Sequence, residues 1–331
     1  MKLRKLADQV IVITGATSGI GLATARLAAK LGARVVVSSR NEEDLTRLAD
    51  EITAQGGFVL AVPADVADAR AVDALRDAAL DKFGRIDTWV NNAGVSIYGK
   101  LHDVELVEAR RLFDVNFWGV VHGSRAAVAA LRERGGAIIN IGSVLSDRAI
   151  PIQGMYSASK HAVKGYTDAL RMEVEMEKLP ISVTLVKPAA IDTPYVEHAK
   201  NHLETMPRNA APLYAPELVA EVILRCAEHP KRDVIVGGGG KMFSLLEKLA
   251  PRLGDRVMEH TMESKQKSDM PKAAQDSLFM PPLVEGHERG PHGSRALRHS
   301  AYTSMALHPV VGVAALTGIA LAAVGVLASR R

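Results

Sequence analysis

Two side chains in this sequence have the types and spacing for proton transfer. Tyr156 and Lys160, in "YSASK", stand four residues apart. In a helix they share one face, so the ammonium lies near the phenol. A tyrosine titrates near 10 and is a poor base at neutral pH; bringing it to neutrality takes roughly 4 kcal/mol of preferential phenolate stabilisation. A nearby lysine and a cationic ring can supply that. Ser143, in "INIGSVLS", follows an apolar run that reads as a buried strand, so its hydroxyl can point into a cleft and hydrogen-bond a substrate oxygen. Asn116, in "DVNFWG", is the fourth polar candidate. Taken singly, each has an ordinary reading: a capped helix, a lysine stem lying along apolar surface, a strand-end turn.

A second kind of chemistry is written in "TGATSGIG", residues 14–21, between the apolar run "VIVI" (10–13) and the helix formers "LATARLAAKLGA". Glycine adopts φ > 0 and lets a backbone approach a ligand closely. The helix that begins there points unpaired N–H groups and a partial positive charge at whatever lies in the turn, which suits a phosphate. A tight connection without a ligand is the alternative. After the next apolar run the chain reads Val37-Ser38-Ser39-Arg40-Asn41, with no acid before Glu42. NAD enzymes place an acid at this strand end to accept from the ribose 2′-hydroxyl. Arg40 instead offers a planar fork for a 2′-phosphate, with Ser39 and Thr17 as hydroxyl donors. The expected cofactor is NADP(H), that is NADPH in reduction; a solvated arginine at a helix start is the alternative.

The elements that must position these groups are legible as apolar, β-branched runs separated by helix-like segments. The runs are 10–13, 34–37, 58–62, 88–92, 137–141, 181–186 and 233–236. Continuous rather than alternating hydrophobicity marks strands buried on both faces, as in parallel sheets flanked by helices. The fold class expected is α/β: a doubly wound parallel sheet of seven strands, a Rossmann fold spanning residues 1–240. Ligands bind beyond the carboxyl ends of such strands, and the motifs all fall there.

Together the motifs resemble the classical short-chain dehydrogenases/reductases over about residues 8–240. TGxxxGxG stands at 14–21, "NNAG" at 91–94, then Asn116, Ser143 and YxxxK at 156–160, with separations of 27 and 13 residues between Asn, Ser and Tyr that are typical of that family. The resemblance implies that Tyr156 is the acid in carbonyl reduction and the base in alcohol oxidation. It implies that Lys160 lowers the pKa of Tyr156 and holds the nicotinamide ribose, that Ser143 orients the reacting oxygen, and that Asn116 supports a water relay to Lys160. The dinucleotide would be seated by Gly15, Thr17, Ser18, Gly19, Ile20 and Gly21, with Ser39 and Arg40 at the 2′ position. Asp65 and Val66 would contact the adenine, and Asn92, Ala93 and Gly94 the adjoining ribose and phosphate. Pro188, Ile191 and Thr193 would line the nicotinamide pocket; the family often has Pro-Gly where this chain has Pro188-Ala189. The activity implied is NADP(H)-dependent interconversion of a carbonyl and an alcohol on a small apolar substrate. A dinucleotide-binding regulator without catalysis, or an isomerase or dehydratase using the same tyrosine, are the competing classes. A homodimer or homotetramer is implied as well, with 117–131 as a candidate face.

Composition narrows the partners. Of 331 residues 47% are hydrophobic, an ordinary globular content, and the net charge of +4 is spread without a basic block. Aromatics at 4% leave little with which to stack bases, so no nucleic-acid role is expected. The single cysteine, Cys226, excludes an intrachain disulfide and a cysteine zinc cluster. His198 and His202 have metal-like spacing but no third ligand, so no metal is expected; the region reads as a substrate lid. His161 and Ser146 read as ordinary neighbours of the catalytic groups. Residues 241–263 form an amphipathic extension, in which Pro251 should begin or kink a helix and which suits either a lipid surface or a pocket cover. Residues 264–306 read as a polar linker. Residues 307–331 read as a transmembrane tail: 310–328 are 19 uncharged positions, about 28 Å as a helix against a core of roughly 30 Å. Ala314, Gly318 and Ala322 make a small-residue row on it. The expectation is a catalytic domain held at a membrane by its C-terminus, on the intracellular side.

Overall fold

Alternate residues of each central strand feed opposite cores. In β1 (Val10–Thr14), Ile11 and Ile13 join one apolar cluster while Val10 and Val12 join the other. β2 (Arg34–Ser38) divides Val35 and Val37 from Val36 in the same way. Every residue of β1 is buried, which is why its sequence is continuously apolar. The computed structural model describes residues 2–239, 249–272, 275–281, 286–290 and 296–307. It contains one seven-stranded sheet completed by β3 (Phe58–Ala61), β4 (Thr88–Asn91), β5 (Gly136–Ile141), β6 (Ile181–Pro188) and β7 (Asp233–Val236). All neighbours are parallel, in the order β7-β6-β5-β4-β1-β2-β3. Winding reverses between β1 and β4, and a ligand crevice opens at such a switch point.

Helices α1 (Gly19–Lys30), α2 (Glu42–Ala54) and α7 (Pro216–Glu228) cover one face, burying Leu22, Leu45 and Val219. The other face is covered by α3 (Ala69–Phe83), α4 (Leu106–Phe113), α5 (Gly119–Leu131) and α6 (Gly154–Met176). Leu75, Leu112 and Val174 pack there. Between α4 and α5 the chain widens into a π-helical turn, Asp114–Trp118. Cys226 is buried in α7, and desolvation pushes its thiol up to about 12, so it is an inert core residue.

The amphipathic extension and the described parts of the segment expected as a linker both pack against the domain. α8 (Pro251–Gln266) opens with its proline at the first turn and buries Met258, Met262 and Gln266. Burying each methionine contributes about 1.5–3 kcal/mol. Arg148 pairs with Asp255 at 2.7 Å. This packed face fits the pocket-covering reading, while Leu253 and Val257 on the same helix are exposed. Lys267–Pro271 pairs antiparallel with Thr205–Pro207. Leu278 is fully buried beside Val66 and Val95, and Leu297 bonds the backbone of Leu213 and Ala215. The polar composition misled because this stretch is held by main-chain bonds and a few anchors, not by an apolar stripe. Among the described residues no helix is long and apolar enough to cross a membrane; the 310–328 run lies outside them.

Candidate active site

The glycine turn and the "NNAG" motif form one clamp across the switch point. Gly15 is held at φ 64°, and a Cβ there would come 2.8 Å from the Ala93 Cα. The Asn92 amide donates to the carbonyls of Thr14 (2.9 Å) and Gly15 (3.0 Å). The Thr14 hydroxyl in turn accepts from the N–H groups of Asn92 and Ala93. Gly21 faces the Gly15 carbonyl so closely that any side chain would collide with it. It lets α1 pack against the strand end and does not line the cavity, in contrast to the ligand role expected of it.

A cavity of about 320 Å³ lies beyond these strand ends, within the range of ligand pockets. It brings together Gly15, Thr17, Ser18, Gly19 and Ile20 from the first turn, and Ser39 and Arg40 from the end of β2. Asp65 and Val66 reach it after β3, Asn92, Ala93 and Gly94 after β4, and Pro188, Ile191 and Thr193 after β6. Ser143, Tyr156 and Lys160 line it too. An α1 N-terminus, a glycine that admits no Cβ and basic Arg40 on one wall together fit a dinucleotide bearing phosphates.

Asn116 is fully buried and outside the cavity lining. Its Nδ2 donates to the Val95 carbonyl (2.9 Å) and the Ser159 hydroxyl (3.1 Å), and its Oδ1 accepts from the Val95 N–H (2.8 Å). Ser159 donates onward to the Tyr156 carbonyl at 2.7 Å. Asn116 therefore pins the loop after β4 to the helix that carries the tyrosine, a use of the π-helical turn that is common at functional sites.

Tyr156 and Lys160 do lie on one face of α6. The Lys160 ammonium donates to the Ile141 carbonyl at 2.9 Å and sits 5.6 Å from the centre of the Tyr156 ring. The Ser143 and Tyr195 hydroxyls both act to lower the phenol. Ser143 is itself set by two bonds, its Oγ accepting from the Leu145 N–H and its N–H donating to the Ser146 Oγ, each at 3.1 Å. The depression expected of the phenol combined the lysine with a cationic ring, and of these two the structure describes only the lysine. Desolvation raises Tyr156 to about 12, against the partial help of Tyr195 and Ser143, and lowers Lys160 to about 8. Burial is the largest contribution, and the two hydroxyls offset only part of it.

Three residues at the site escaped the sequence reading. Tyr195 packs edge-on to Tyr156, ring centres 5.5 Å apart, and donates to the Ser96 hydroxyl at 2.7 Å. Its position two residues beyond Thr193 was the available signal. Gln153 donates to Gln266 at 2.8 Å across 113 residues, joining the start of α6 to α8; no local pattern announces such a pair. His198 and His202 diverge: His202 meets Glu108 at 2.7 Å, while His198 lines the cavity and is lowered to about 4 by burial and then by Arg40.

Arg40 carries a partner that its position did not foretell. Its guanidinium donates to the carbonyls of Ser277 (2.6 Å), Phe279 (3.1 Å) and Leu278 (3.4 Å). Nearby, the Gly19 N–H donates to the His287 carbonyl and the Gly286 N–H to the Thr17 carbonyl, each at 3.0 Å. The C-terminal stretch thus crosses the mouth of the cradle.

A parallel sheet of this order with a Ser, Tyr and Lys facing a glycine turn defines a nucleotide-dependent oxidoreductase. The model of the short chain dehydrogenase family matches residues 9–204. The uncharacterized oxidoreductase YxnA of Bacillus subtilis (strain 168) is 46% identical over 323 residues, covering 96% of this chain and 91% of that protein. A short-chain dehydrogenase/reductase from Burkholderia phymatum in complex with NAD superposes with TM-score 0.69 at 28% identity, over 76% of this chain and 96% of its own. An alcohol dehydrogenase from the archaeon Thermococcus sibiricus complexed with 5-hydroxy-NADP gives 0.61 at 26%, over 69% and 95%. The chain belongs to the short-chain dehydrogenase/reductase family and is an oxidoreductase of that type.

Proposed function

We propose that this chain is an NADP(H)-dependent oxidoreductase that interconverts a carbonyl and an alcohol on an apolar small molecule. One observation carries the reading: Ser143, Tyr156 and Lys160 converge on a cavity whose other wall is the glycine turn. The dinucleotide, when bound, supplies or accepts the hydride. Gly15 to Ile20 and Asn92 to Gly94 would hold it, with Arg40 and Ser39 at the 2′ position. Ser143 orients the substrate oxygen. Tyr156, protonated throughout the neutral range because burial raises it, donates its proton to the oxygen as it gains negative charge. Lys160 favours the phenolate left behind and reaches the ribose hydroxyls. Asn116, whose Oδ1 faces Gly94 as the Lys160 ammonium does, supports the water link between them. Leu145, Ile150 and Met262 add apolar groups to the lining, which suits a ketone or aldehyde on a hydrophobic body. The 2′-phosphate preference rests on Arg40 and on the absence of an acid before Glu42.

The test is NADPH oxidation against a panel of apolar ketones and aldehydes. Turnover with at least one member supports the reading; tight NADPH binding with turnover of none would leave a dinucleotide-binding regulator. Two further proposals concern assembly. The 310–328 tail anchors the chain in a membrane with the catalytic domain on the intracellular side, so full-length protein should resist carbonate extraction, and recovery in the soluble fraction would sink the anchor. The chain is a homodimer or homotetramer, and a monomeric mass by light scattering would refute that.

A further inference from the structure

Phosphates and backbone carbonyls want the same donors, and here the carbonyls already hold them. We propose that the C-terminal strap, residues 275–281 with 286–290, competes with a dinucleotide 2′-phosphate for Arg40 and so sets the cofactor preference of the site. The inference rests on the reading of Arg40 as the 2′-phosphate ligand.

The strap is built in. Leu278 is fully buried and belongs to the apolar cluster that also holds Val66, Val95 and Leu112. Ser277 donates to the His198 carbonyl through both its N–H (2.9 Å) and its hydroxyl (2.8 Å). Arg111 of α4 donates to the Leu278 carbonyl at 3.1 Å while pairing with Asp65 at 2.6 Å. Over the glycine turn, Glu288 pairs with Arg26 at 2.8 Å and Arg289 with Glu217 at 2.6 Å. Ser277 and Pro281 line the cavity itself.

These contacts present three carbonyl oxygens to both terminal nitrogens of Arg40. A guanidinium binds phosphate through a pair of parallel N–H groups, and it is a donor with no acceptor capacity. A phosphate arriving at that edge would face the oxygens of residues 277–279, acceptor against acceptor. It gains Arg40 only by displacing them. A ribose 2′-hydroxyl meets no such conflict, because a hydroxyl can donate to a carbonyl. With the strap closed the site favours the unphosphorylated ribose. With the strap lifted the arginine is presented and favours the phosphate. The Gly19 N–H, donated to His287, places a second strap contact on the helix start that seats phosphates.

The experiment cuts the side-chain tethers and leaves every group placed in the cofactor or catalytic machinery. In the full-length chain, Glu288→Gln with Arg289→Gln is compared with wild type for binding of NADP+ and NAD+ by calorimetry. NADP+ affinity should rise roughly tenfold, about 1.4 kcal/mol, with NAD+ within twofold. Equal changes for both nucleotides, or weaker NADP+ binding, would overturn the competition and make the strap a clasp. Hydrogen exchange on the wild-type chain is the second measurement. NADP+ should speed exchange of the amides of 277–280 and NAD+ should not; protection by NADP+ overturns the proposal. Arg40→Asp separates the two ideas. If it swings the nucleotide ratio while loosening the strap does not, the competition fails and the phosphate reading stands. If it leaves the ratio unchanged, Arg40 is no phosphate ligand and both fall.

Discussion

The cradle of residues 10–94 and the wrap formed by the described residues 249–272, 275–281 and 286–290 meet at the same cavity but are specified in different ways. In the cradle the side chains themselves are the specification. Gly15 stands where a Cβ would strike Ala93, and Asn92 reaches back to two carbonyls of the turn. The wrap meets the cradle through main-chain atoms that no residue type betrays. Arg40 finds Ser277 across 237 residues, and the Gly19 N–H finds the carbonyl of His287. The difference teaches where motif reading works: it reports groups whose chemistry needs a particular side chain, and it is blind to partners that are only backbone.

If that division is right, changes in the catalytic and cradle residues act on turnover and cofactor choice, changes in α8 act on substrate binding, and changes in residues 286–290 act on cofactor choice only through Arg40. The largest effect is expected for Tyr156→Phe, a loss of about 10³-fold in kcat, within the usual range for a proton donor. NADPH binding, read by fluorescence, should hardly move. Near-normal turnover would remove the tyrosine from the chemistry.

The pH profile comes next. Lys160 is lowered to about 8 in the fold by burial, so its ammonium is intact below that value and lost above it. kcat/KM for reduction should be level below about pH 8 and then fall up to tenfold per pH unit. A level profile to pH 10 would show that the lysine charge does not matter. Arg40→Asp puts a carboxylate at the 2′ position, and the efficiency ratio should swing toward NADH by tenfold or more, about 1.4 kcal/mol.

Smaller effects probe the boundary between the regions. Tyr195→Phe removes a hydroxyl that lowers the Tyr156 phenol, so phenolate forms less readily. Oxidation of the alcohol should slow by about 2–10-fold, the worth of one hydrogen bond, with reduction less affected. Equal slowing of both directions would mark Tyr195 as packing only. Gln266→Leu cuts the bond to Gln153 that docks α8. It should raise the substrate KM about threefold, comparable to one hydrogen bond, and leave the NADPH dissociation constant alone. A change in cofactor affinity instead would dissolve the division itself.

Seven apolar runs are seven strands of one parallel sheet, and the central ones are nearly continuous in hydrophobicity because both their faces are buried. Tyr156 and Lys160 share a face because helical spacing allows nothing else. These things the amino-acid order determined by itself, through local stereochemistry and burial. The tertiary structure decided what those groups meet. Asn116, legible as a family residue, turned out to grip Val95 and Ser159 from within the core. Tyr156, expected to be lowered by its lysine, is raised because the surrounding protein removes water from the phenol. Residues 275–281, part of a stretch polar enough to pass for a linker, are bound into the site by carbonyls and a buried Leu278. A strand or a helix face is a property of neighbours in the chain. Desolvation, and the identity of a hydrogen-bond acceptor two hundred residues away, exist only once the chain has closed on itself.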